Sequence, residues 1–190
     1  MIRRVAVSSN RSTVPEVWRH YQAMHAAIAR SADAARRSLT NGTAPDDLEL
    51  LGKSTEEANS YFESLFDETD KQACLFLIAA AEAAIRVDFL IRVHERRKDH
   101  VSRAFRGICS SMGAHGSRMR IRLEDDILDT WAAEIPQTRT CIVAFKAALR
   151  YRNWLAHGRY WVPKLGQEYD PSGLVQIISE VLNRMGVKNN

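Results

Sequence analysis

Apolar residues recur along this chain with the period of a helix and almost never with the strict alternation of a strand. This restricts the fold to an all-α architecture, a single bundle of long antiparallel helices. Punctuation signals divide it. Thr13-Val-Pro-Glu16 is a capping box with Pro15 in the first turn, where its missing N–H is harmless. It predicts a helix to about Leu39, stopped by Asn41-Gly42. Ser54-Thr-Glu-Glu57 is a second capping box and predicts a shorter helix ending near Phe66. The longest predicted helix, Thr69 to Arg97, would span roughly 43 Å at 1.5 Å per residue. Asp67 to Asp70 puts acid at its positive end, and Arg96-Arg97-Lys98 puts base at its negative end. A short helix is expected around His100 to Ile108, then a Gly/Ser-rich loop from Cys109 to Arg122. Further helices are predicted over Leu123 to Ile135, Thr138 to about Tyr160, and Leu174 to Met185, with Pro163 to Pro171 as a break.

No repeat, low-complexity segment or domain boundary is visible, so residues 1–190 read as one domain with its core over about 14–185. The chain's 190 residues suffice to bury most of the unfolded surface without a staple or metal. The formal net charge of +4 permits a polyanionic partner without requiring one. Cys74, Cys109 and Cys141 are odd in number and far apart, which indicates neither a disulfide framework nor a zinc ribbon. The apolar part of Met1-Ile-Arg-Arg-Val-Ala-Val7 is too short for a signal peptide, and no window resembles a membrane span. A cytoplasmic protein is expected.

The usual nucleotide and hydrolase signatures are absent, including the phosphate-binding and dinucleotide glycine loops and the G-x-S-x-G elbow. His94-Glu95 has no second His at zinc spacing, and His20 and His25 are five apart, wrong for one helix face. Metal and cofactor are therefore both expected to be absent. One segment carries chemistry: Ala147-Ala-Leu-Arg-Tyr-Arg152-Asn153-Trp-Leu-Ala-His157-Gly-Arg-Tyr-Trp161. On a helical wheel Cys141, Phe145, Ala148, Leu149, Leu155 and Ala156 fall within about 60° of Arg152. A guanidinium in such a stripe needs a partner, since it cannot be neutralised. His157 lies about 140° away, beside Lys146, Arg150 and Asn153. On the long predicted helix Glu82 is a lone carboxylate among Leu75, Ile78, Ile85, Phe89 and Val93. Two opposite charges on two core-facing stripes imply that Glu82 and Arg152 meet. The local alternative is that Arg86, four residues from Glu82, satisfies it.

Arg152-Asn153-Trp154-Leu155-Ala156-His157, late in an all-helical chain, resembles the HEPN family, whose members carry an Arg followed by four to six residues and a His. The sharp part of the resemblance covers Tyr151 to Tyr160. It implies a homodimer whose facing motifs cleave RNA without a metal. RNA supplies its own nucleophile, the 2′-OH; an imidazole moves the proton, and an Arg neutralises charge growing on the phosphorane. His157 is the candidate acid/base, with Asn153 beside it and Arg152 as stabiliser or brace. Glu82 would aim Arg152, and Lys146, Arg150 and Arg159 would hold the RNA backbone. A growth-control toxin or a defence effector is implied, with a possible antitoxin partner. The alternative is an inactive HEPN module that binds nucleotide, RNA or a protein. Many toxins of this family have a modifiable Tyr two residues after the His. Here Arg159 holds that position and Tyr160 follows, which puts such regulation in doubt.

Other features have plainer readings. His157 before Gly158 suits a helix cap. Trp154, Tyr160 and Trp161 suit packing or a dimer contact. Arg118, Arg120 and Arg122 suit a solvated loop, and Asp88 with Arg92 an exposed i,i+4 pair.

Overall fold

The computed structural model describes residues 8, 10–45, 47–111 and 121–188, and these form six α-helices and their connectors. No strand occurs among the described residues. Helix α1 (Val14–Thr40) begins at the Thr13 capping box, where Glu16 and Thr13 close both reciprocal hydrogen bonds. Helix α2 (Thr55–His94) begins at the Ser54 box in the same way. Two helices were expected between Ser54 and Arg97, but α2 runs unbroken for 40 residues, roughly 60 Å. The acidic run Asp67 to Asp70 does not start a helix because no residue there breaks one, and the Asp67 carboxylate instead accepts from Lys71 a turn later.

α1 and α2 form an antiparallel hairpin. Arg36 reaches Asn59, His25 meets Phe66, and Tyr21 donates to Asp70 at 2.9 Å. The outer end of the hairpin has its own apolar cluster, Ala32, Ala35, Leu50, Ala58 and Phe62. The inner half of α2 is the axis of the main core. Leu77, Ile78, Ala81 and Ile85 are sealed on it. They pack with residues from α3 (His100–Ser111), α5 (Arg139–Ala156) and α6 (Pro171–Met185), including Phe105, Phe145, Leu149, Leu174 and Ile178. α5 lies antiparallel to α2, since Arg152 meets Glu82 and Arg159 meets Glu68.

The structure departs from the expected boundaries at several points. Leu123–Leu128 is a π-helical turn, followed by the short α4 (Asp129–Glu134), rather than one regular helix. The wider turn is pinned where the backbone N–H of Arg122 donates to Asp126 and the Arg122 side chain pairs with Asp125. α5 stops at Ala156, four residues short of Tyr160, because Gly158 and Arg159 are left-handed (φ 80° and 58°). α6 starts earlier, at Pro171, because the Asp170 side chain caps Gly173. Arg118 and Arg120 lie outside the described residues.

Asp88 and Arg92 are not an exposed pair. Both are buried, 2.6 Å apart, and Arg92 also reaches Asp99 and lies over the Trp131 ring. They join α2 to α3 and α4. The exposed i,i+4 expectation failed because spacing alone does not reveal what a third helix covers.

Removing Arg92 leaves Asp88 buried without its main partner. Arg92→Ala should lower unfolding free energy by about 3–5 kcal/mol in urea titrations. The capping boxes make a pH prediction. Hydrogen bonds from the Ser54 backbone and hydroxyl hold the Glu57 carboxyl below its ordinary value of 4.5. A lowered folded-state value means stability present above the ordinary value and lost as pH falls through the folded one. The difference in melting temperature between the parent and Glu57→Ala should therefore shrink on acidification from pH 5 downward.

Candidate functional site

Glu82 faces α5 from the middle of α2, with only 18% of its side chain exposed. Its Oε2 accepts from Nη2 of Arg152 in a direct ion pair across the two helices. Its Oε1 accepts from Nε of Arg86 at 3.0 Å, and Arg86 also donates to the carbonyl of Ile121 at 3.3 Å. The cross-helix pair and the local pair thus coexist, one on each carboxylate oxygen. Two guanidinium groups share one acid, so the cluster keeps a net positive charge. Among the described residues, Nη2 is the one Arg152 donor with an acceptor; its buried Nε has none. About a quarter of the Arg152 side chain remains exposed.

Five residues on, His157 ends α5. Its backbone N–H donates to the carbonyl of Asn153 at 3.1 Å, so the cap expectation is met by the main chain. Its imidazole is exposed, 6.5 Å from the Trp161 ring, and bonds to no described residue. Asn153 reaches His157 through its backbone carbonyl; no side-chain bond joins them. Within one chain Arg152 and His157 point about 140° apart around α5. The geometry brings Arg152 to Glu82 and leaves His157 on the outer face.

The three basic residues expected at RNA differ in surroundings. Lys146 donates to Asp129 at 2.7 Å, and Arg159 pairs with Glu68 at 2.7 Å. Arg150 is exposed with no acidic partner among the described residues. Such exposed pairs are weak and can exchange a carboxylate for a phosphate.

The turn after α5 is held from three sides. Gly158 and Arg159 close it through backbone bonds to Leu155 and Trp154. The Trp154 indole donates to the carbonyl of Trp161 at 2.7 Å and stacks against Tyr151. Burial first, then the nearby Cys74 and Asp67, pushes the Tyr151 hydroxyl up to about 12, so it packs rather than titrates. Trp154 and Tyr151 are packing residues. Tyr160 is not: 83% of it is exposed, and Trp161 is 39% exposed.

The sequence carries one further signal. Between Glu134 and Glu168 the chain carries Arg139, Lys146, Arg150, Arg152, Arg159 and Lys164 and no acid at all. Among the described residues no three His, Cys, Asp or Glu side chains are grouped to hold a metal ion, and no helix is long and apolar enough to cross a membrane. Compared with protein families, with curated proteins and with solved structures, the chain matches none.

Glu82→Ala leaves two arginines around a half-buried vacancy. It should destabilise the protein by about 3 kcal/mol, the low end for breaking a buried pair. Arg86→Ala, on the more exposed arm, should cost under about 1 kcal/mol. Chemical denaturation of the two variants checks the order.

Proposed function

We propose that the chain is a homodimeric endoribonuclease of the HEPN type, in which the 2′-OH of RNA attacks the adjacent phosphodiester. The observation that carries this reading is the pairing of Arg152 with Glu82. It fixes a cation that still has donors to give, five residues before an unbonded imidazole. An Arg held by one acid is oriented before substrate arrives, which is what stabilising a developing charge requires. A second anion, the phosphorane, would take the remaining exposed donors.

His157 sits on the polar face with Arg150 and Asn153. Imidazoles as a class exchange protons near neutral pH, so one could take the 2′-OH proton and another protonate the leaving 5′-oxygen. The 2′-oxygen's electron pair forms the O2′–P bond, the P–O5′ bond breaks with its pair leaving on the 5′-oxygen, which takes the proton, and the products are a 2′,3′-cyclic phosphate and a 5′-hydroxyl. One copy turns Arg152 and His157 apart, so a second copy is invoked to complete the groove. A toxin or defence role, an antitoxin partner and a cytoplasmic setting belong to this reading and stand or fall separately from the chemistry.

The test is cleavage of a mixed single-stranded RNA in excess EDTA, with products resolved by mass. The expected result is fragments ending in 2′,3′-cyclic phosphate, with His157→Ala slower by at least about 10²-fold. Intact RNA with both proteins would leave the second reading, a silent module that binds without cutting.

A further inference from the structure

We propose that Trp161 and Tyr160 form a stacking platform that receives an unpaired nucleobase beside His157. This deepens the ribonuclease reading and rests on its choice of RNA as ligand.

Large aromatic side chains usually bury most of their surface, yet Tyr160 exposes 83%; Trp161 keeps 39% open beside it, and the neighbouring Val162 is exposed too. They are not loosely placed. The main chain that presents them is fixed by the Trp154 indole on the Trp161 carbonyl, by the backbone bond from Arg159 to Trp154, and by the Arg159 side chain on Glu68. Arg159 adopts φ 58°, a conformation unfavourable for a residue with a Cβ. That strain is the price of reversing the chain directly after His157. The reversal sets Trp161 6.5 Å from the imidazole, with Tyr160 edge-on against it at 4.6 Å.

Charge identifies the occupant. The surrounding stretch carries cations and no acid between Glu134 and Glu168. Acids from other elements answer Arg152, Arg159 and Lys146, while Arg150 and Lys164 are exposed with no acidic partner among the described residues. Exposed aromatic surface in a stretch that carries two exposed cations without acidic partners among the described residues suits a ligand with flat rings on an anionic backbone. Bases in a duplex have both faces covered, so such a platform selects unpaired nucleotides. A base stacked there would bring its own phosphate to the imidazole.

Binding is measured with the full chain and a fluorescein-labelled, fully 2′-O-methylated oligonucleotide, as a single strand and as a duplex. Lacking the 2′-OH nucleophile, this probe cannot be cut, so binding is read apart from cleavage. The parent should prefer the single strand. Trp161→Ala should weaken single-strand binding by roughly 5- to 100-fold and duplex binding much less. Tyr160→Ala should act in the same direction, and Trp161→Phe should restore most of the loss. The Trp154 anchor uses the Trp161 main-chain carbonyl, so it survives either side-chain change; unchanged melting of exposed Tyr160→Ala confirms folding.

Single-strand affinity within twofold of the parent for both alanine variants overturns the platform. So does a parent that binds no single strand, or variants that lose self-association while keeping RNA affinity, which would mark a protein contact. If the platform fails while His157-dependent cleavage persists, the ribonuclease reading stands alone. If stacking is confirmed and no RNA is cut, the platform stands and the nuclease falls.

Discussion

One carboxylate, that of Glu82, joins two arginines from two directions. Both of its oxygens are occupied, by Arg86 on its own helix and by Arg152 from α5. Placed on an otherwise apolar stripe, the acid is tolerable only because it is paired, and Arg152 only because the acid is there. The pair therefore sets the register of α5 against α2. Everything after α5 inherits that register: the position of His157 at the helix end, the left-handed reversal at Gly158 and Arg159, and the aromatic residues the reversal presents.

The electrostatics of the outer face follow a division of labour between elements. α5 and its following turn supply cations; α2 and α4 supply Glu68, Glu82 and Asp129, which meet three of them. Arg152 meets an acid only 18% exposed, where water screens the attraction least, whereas Lys146 and Arg159 meet acids that are about half exposed, where the attraction is screened. The same residue type thus serves as an orientation device in one place and an exchangeable contact in another. The difference comes from depth, not from the side chain.

Much of this was legible beforehand, and the limits have physical causes. The helical class and both capping boxes were readable because caps are local chemistry between residues three apart. The meeting of Glu82 and Arg152 was readable because a lone charge on an apolar stripe demands a partner. That Glu82 would take both candidates was not, since a wheel shows directions and not the two oxygens of one carboxylate. The break expected near Phe66 does not occur, because acidic residues favour a helix start without enforcing one. The spacing of Asp88 and Arg92 reads as a surface pair because burial there depends on Trp131, distant in sequence. The end of α5 was overrun because helical periodicity continues through Tyr160 while two left-handed residues stop the backbone. The exposure of Tyr160 and Trp161 follows from that stop and could not be anticipated without it.

The unbroken length of α2 has a mechanical side. From Thr55 to Glu82 the helix extends about 40 Å, and its outer half is braced by α1 and by Leu50 of the connector between them. A rod of that length acts as a lever whose short arm ends at the ion pair. A tilt of a few degrees about the bundle swings the hairpin tip by several ångströms, and force on the tip is returned, magnified, as torque on the seat of Arg152.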